Sequence, residues 1–197
     1  MANRSKAFRL LLTVIGGIGI AIGVTLIVKA NVGADVTSVL FTGIAKNTPL
    51  SFEVASYVST TLLLIVLRLI KANVGIGTVI MTLSTSFSIF ATFVLIPEPP
   101  SALAVRILYF AVGTTVMALS VNIGFASGLG NGIYEALCSH ISKLTGYKEP
   151  AIRTVWEASI LTTGIILGGA FGVGTIVFVL SIGPLVAVFN KAIVAKI

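Results

Sequence analysis

Polar side chains are so widely spaced along this chain that its apolar runs stand out first. Six runs reach the length of about 20 apolar residues that a membrane-spanning helix needs. They are residues 8–28, 52–71, 74–96, 103–125, 151–169 and 172–195. Two further runs, 33–46 and 130–143, are shorter. Fourteen helical residues rise about 21 Å, against a hydrocarbon core of about 30 Å. The pattern therefore predicts half-helices there, re-entrant or interfacial. Only Pro97-Glu98-Pro99-Pro100 breaks the chain hard, and no segment has the length of a soluble domain. One membrane domain over residues 1–197 follows. Residues 10–28, behind Arg4, Lys6 and Arg9, have the look of a signal peptide. The run is longer than an h-region of about 7–15 residues, and a similar segment recurs inside the chain, so it reads as structural.

That recurrence is general. Sliding the sequence by 97 residues aligns Arg9 with Arg106, Gly16 with Gly113, Gly33 with Gly130 and Lys46 with Lys143, without a gap. Gly75-Ile76-Gly77-Thr78 falls on Gly172-Val173-Gly174-Thr175, and Ser84 on Ser181. Coincident apolar residues mean little in such a chain, but coincident Gly, Thr, Lys and Arg in one register indicate duplication. Unit one is 7–96 and unit two is 104–193, each reading long, short, long, long, and repeats of this kind build many transporters. Three crossings per unit invert the second copy; four leave it parallel. With the N-terminus inside and the short helices not crossing, Lys29, Lys46 and Arg106 lie outside and the other ten basic residues inside. If the short helices cross, the count is the same, so the positive-inside rule does not choose. Helix length does: the expectation is an all-α polytopic membrane protein with six transmembrane helices, two short half-helices, an inverted internal repeat and a cytoplasmic N-terminus.

Composition narrows the class. Hydrophobic residues make up 56% of the 197 and charged residues 10%, where soluble domains carry about 25% charge; the mean hydropathy is +1.11. A soluble enzyme, a disordered chain and a nucleic-acid binder are poor readings. The net charge of +7 reports orientation in the membrane rather than nucleic acid. One Cys and one His allow neither a disulfide within the chain nor a His-based metal site, and no cofactor is expected.

Candidate chemistry sits in and beside the short helices. One opens with Gly33-Ala34-Asp35, the other with Gly128-Leu129-Gly130-Asn131-Gly132. Glycines let a backbone approach a ligand closely, and a helix N-terminus in low dielectric suits an anion. Gly33, Gly130 and Gly132 are the candidates for backbone approach, and Asn131 for a side-chain contact. Packing or ending a helix is the alternative role of those glycines. Of six acids, Asp35, Glu53, Glu135 and Glu157 lie within or at the ends of apolar segments, where ionisable groups are costly and face a cavity or a partner. Arg153 and Glu157, four residues apart, share a helix face, with Trp156 beside them; such a pair holds a fold or lines a pathway. Asp35 also suits an N-cap, and Glu53 an interface. Tyr134, next to Glu135, is the aromatic residue placed to reach a cavity. The G-x-G-T segments lack the G-x-x-x-x-G-K-[ST] pattern of a phosphate loop and read as tight loops with close packing. Cys138 and His140 do not share a helix face, so no nucleophile–base pair forms there.

Arg153-Thr154-Val155-Trp156-Glu157, Gly168-Gly169, Gly172-Val173-Gly174-Thr175 and Gly183-Pro184 resemble the YczE/YyaS/YitT group of bacterial integral membrane proteins. In relatives of YczE the short-helix segment reads G-x-G-P-R-D; here it is Gly130-Asn131-Gly132-Ile133-Tyr134-Glu135, with Glu135 at the acid's place and Ser38 there in the first copy. The resemblance implies a bacterial inner-membrane protein of transporter-like character. The expected function is a secondary transporter or exporter of a small solute, an anionic one suiting the short-helix ends. A passive aquaporin-like channel and a non-transporting accessory or scaffold are the alternatives, and no enzyme is expected. Expected partners are the lipid bilayer, an unknown small-molecule solute and, through small-residue helix faces, a homo-oligomer; nucleic acid is excluded.

Overall fold

A computed structural model describes residues 5–130 and 132–194. The expected contact at Asn131 and the charges of Arg4 and Lys196 lie outside the described residues. The described residues form eight helices and no strand: α1 (Lys6–Ala30), α2 (Val36–Asn47), α3 (Phe52–Leu69), α4 (Ile76–Leu95), α5 (Leu103–Ala126), α6 (Ile133–Thr145), α7 (Glu149–Ile166) and α8 (Val173–Val194). Each of the last four starts 97 residues after one of the first four: 6 and 103, 36 and 133, 52 and 149, 76 and 173.

In hydrocarbon every backbone polar group needs an internal partner, which leaves helix as the stable form of an apolar run. Hydroxyls obey the same rule. Thr13, Thr60, Thr114 and Ser120 each donate to the carbonyl four residues earlier. Ser5, Asp35 and Ser51 accept from the backbone N–H three residues on and so cap α1, α2 and α3.

Among the described residues, five helices are long and apolar enough to cross a membrane: α1, α3, α4, α5 and α8. The chain is therefore a multi-pass membrane protein. The sixth expected span coincides with α7, which carries Glu149, Arg153 and Glu157 among its 18 residues and is not among the five. Apolar residues such as Leu62, Phe87, Val94 and Leu180 are exposed on outer faces, as lipid-facing residues would be.

At the centre α1 and α5 cross in antiparallel fashion. Side chains at Gly16 and Gly23 would overlap the backbones of Gly124 and Gly113, and one at Gly19 would meet Ser120. Parallel to α1 runs α4, with Thr25 bonded to Thr92 at 2.7 Å and Lys29 donating to the carbonyls of Phe93 and Ile96. Antiparallel to α4 runs α3, pairing Phe52 with Phe93 and Tyr57 with Phe87. Asn122 of α5 donates to the Val186 carbonyl of α8. Buried Ile20, Val24, Phe41, Phe52, Met81 and Ile89 form the main apolar core.

The G-x-G-T segments hold the connectors that lead into the short helices. Gly77 N–H donates to Leu129 O at 3.0 Å, and Gly174 N–H to Val32 O at 2.8 Å. Gly33 (φ +125°) and Gly130 (φ +154°) sit in those connectors. A Cβ at Gly33 would lie 2.6 Å from Thr175 N, and one at Gly130 2.9 Å from Thr78 N.

Candidate functional site

A cavity of about 460 Å³ lies inside the bundle, walled by residues from all eight helices. That is within the range of about 300–1,000 Å³ typical of small-molecule sites. The N-terminal turns of the two short helices meet at it: Asp35, Thr37 and Ser38 of the α2 end, Gly132, Tyr134 and Glu135 of the α6 end. Arg153, Trp156 and Glu157 of α7 complete the polar wall. Asp35, Tyr134, Glu135, Arg153, Trp156 and Glu157 thus line this one space.

The backbone candidates divide. Gly132 lines the cavity, whereas Gly33 and Gly130 are packed against the G-x-G-T segments. Their freedom serves helix-to-connector contact, so the expected backbone approach of a ligand at those two positions is replaced by approach of the chain itself. Cys138 is buried, and Glu53 lies in the first turn of α3, away from the cavity lining.

The charges are arranged unevenly. Arg153 donates through Nε to Glu157 at 2.8 Å and through Nη1 to Glu135 at 3.1 Å. The first bond is the pairing that i,i+4 spacing allows on a helix; the second ties α7 to α6. Asp35 is only 2% exposed. Its Oδ2 accepts from the Thr37 hydroxyl at 2.8 Å and the Ser38 N–H at 3.2 Å. Its Oδ1 is buried without a partner, as is Nε1 of Trp156. Three carboxylates therefore face one guanidinium. Both short-helix N-termini already carry an acid: Asp35 caps α2, and Glu135 lies in the first turn of α6. Asp35 caps the α2 end, whereas the α6 end, opened by Gly132, has no side-chain cap and Glu135 is bonded to Arg153.

Sequence reasoning matched Ser38 to Glu135 but missed two further hydroxyls of the lining, Ser56 and Thr60. Ser38, Ser56 and Thr60 line the cavity, and they stand 97 residues before Glu135, Arg153 and Glu157. At these three pairs of positions the second half of the chain supplies ionic groups and the first half hydroxyls, while Asp35 of the first half adds the third carboxylate. Carrying the charged positions back by the offset would have found Ser56 and Thr60. Apolar Ile20, Phe41, Met81 and Phe125 fill in the rest of the wall.

A family model described as a family of unknown function, DUF6198, matches residues 7–191. An uncharacterized protein of Haemophilus influenzae is 27% identical over 188 residues, covering 95% of this chain and 85% of that one. No solved structure matches the chain.

Proposed function

Because the chain belongs to DUF6198, a family of unknown function, its activity must be sought in its own geometry, and we propose that it is a secondary transporter or exporter of a small solute in a bacterial inner membrane. The observation that carries this reading is the cavity, lined by residues of all eight helices and polar where two short helix ends meet. Paired discontinuous helices that converge on one site are the hallmark of carriers built from repeats. The resemblance to the YczE/YyaS/YitT group agrees with it.

An inverted repeat of two units, with six crossings, is the architecture we assign. In its support, α1 and α5 run antiparallel while the helix starts recur at one offset. The clasps Gly77–Leu129 and Gly174–Val32 are the same contact seen from each half. Each short helix, at about 18–20 Å, is too short to cross. The ends of α2 pack near one another in the chain, Gly33 on Thr175 and Asn47 on Leu167. On this reading α7 is the sixth crossing and turns Arg153 and Glu157 to the cavity. The excess of basic residues on the N-terminal side of the membrane supports a cytoplasmic N-terminus. Opposed copies let one cavity face either side in turn, and Glu135 and Glu157 supply carboxylates able to carry a proton with the solute.

Flux in proteoliposomes tests the proposal. With an imposed proton gradient and an entrapped pH dye, a panel of small amines, carboxylates and neutral solutes is added. The expected result is saturable proton-linked uptake of at least one class, abolished by Glu135→Gln with the fold retained. Flux that rises linearly without saturating would make the protein a channel. No flux for any class, or full activity in Glu135→Gln, would overturn the assignment.

A further inference from the structure

We propose that the cavity takes a small amphipathic organic cation, a protonated amine on an apolar body, with its charge against Oδ1 of Asp35. The inference rests on reading the cavity as a solute site and names the class of solute.

Asp35 carries the argument. Buried polar atoms are nearly always hydrogen-bonded, and leaving a charged one unmet in low dielectric is costly. Here one oxygen accepts from Thr37 and Ser38, and the other is buried with no partner among the described residues, at a residue only 2% exposed. An ammonium N–H is the donor this oxygen lacks.

The remaining groups point to the same class. Arg153, the one cation among the described residues of the cavity lining, already binds two carboxylates, so an incoming anion would compete with Glu135 and Glu157 for it. Three acids against one base leave the space negative. The other walls are Ile20, Val24, Phe41, Met81, Met117 and Phe125, which accept an apolar body and offer no second charge. Trp156 is also in the lining, and Trp is the aromatic residue that attracts a cation most strongly.

The chain contains one Trp, and it lines the cavity, so intrinsic fluorescence reports occupancy directly. Purified full-length protein in detergent is titrated with 2-phenylethylammonium, 3-phenylpropionate and 2-phenylethanol, which differ chiefly in charge. The expected result is a saturable change with the ammonium ion, at an affinity at least about tenfold above that of the other two. A hydrogen bond to a charged group sets that scale. Asp35→Asn keeps a good N-cap and removes the charge; it is expected to weaken the ammonium ion roughly tenfold to a hundredfold and to leave the alcohol unchanged. Binding of the carboxylate as tight as that of the amine in the wild type would overturn the proposal, whether or not the variant folds. So would an unchanged amine affinity in folded Asp35→Asn, or no saturable amine signal. Flux of the same amine, measured in parallel, separates the two readings. Saturable binding without flux removes the carrier and leaves the cation site; flux of the carboxylate alone removes the cation site and leaves the carrier.

Discussion

Replacing Gly33 by Ala isolates the contact that seats the first short helix. Gly33 has φ +125°, a conformation whose strain costs a non-glycine residue about 1–3 kcal/mol. Its added methyl would lie 2.6 Å from Thr175 N and 3.1 Å from the Gly172 carbonyl carbon, both backbone atoms of the clasp that cannot rotate away. Overpacking of that kind costs about another 1–3 kcal/mol. The sum, about 2–6 kcal/mol, corresponds to a fall in melting temperature of roughly 5–20 °C for a chain of this size. Gly146 is the control. It also has positive φ, at +76°, but nothing lies within 4 Å of its would-be Cβ. Gly146→Ala is therefore expected to cost only about 1–2 kcal/mol. Gly130→Ala, with Thr78 N 2.9 Å from the added methyl, should behave like Gly33→Ala. Thermal unfolding of the purified variants in one detergent, followed by Trp156 fluorescence, gives the ranking. A Gly33 variant no less stable than the Gly146 variant would refute the clasp.

Two further stability predictions concern α1 and α4. Lys29 is nearly buried and donates to the carbonyls of Phe93 and Ile96, while its ion-pair partner Glu98 is 74% exposed. Lys29→Ala should cost about 2–3 kcal/mol and Glu98→Ala at most about 1 kcal/mol in the same melts; equal losses would contradict the assignment of the stabilisation to the carbonyls. Thr25 and Thr92 are both buried and share a hydrogen bond. The Thr25→Val, Thr92→Val double variant should lose less than the sum of the single variants by about 1 kcal/mol, and strict additivity would show that the pair is not coupled.

Much of this architecture can be read from the order of residues, for a physical reason. Water-free surroundings force apolar runs into helices, so the runs at 8–28 and 103–125 mark α1 and α5 closely. The ionic half of the site is legible on the same grounds. An acid is expensive in such surroundings, which makes Asp35, Glu135 and Glu157 conspicuous. Ser38, Ser56 and Thr60 are not, because hydroxyls are common in apolar helices and satisfy themselves on their own backbone, as Thr60 does on the Ser56 carbonyl. Gly33 and Gly130 show another limit. A glycine signals that something approaches closely, and whether that is a ligand or the chain itself depends on long-range contact. Helix polarity is likewise visible in sequence, whereas the placing of Asp35 as the cap of α2 and of Glu135 on Arg153 depends on where those side chains turn. In α7 the two signals conflict, since Glu149, Arg153 and Glu157 lower its apolar character while two of them line the cavity.

The central claim is that two oppositely directed halves bring their short helices to one cavity from opposite faces of the membrane. Thr48 and Thr145 stand at the C-terminal ends of α2 and α6 and are exposed. In a Cys138→Ala background, a single Cys at each position is treated with a membrane-impermeant thiol reagent in sealed right-side-out and inside-out vesicles. The account predicts that Thr48→Cys is labelled from the outside alone and Thr145→Cys from the cytoplasmic side alone. Labelling of both from the same side would mean parallel halves and would contradict it.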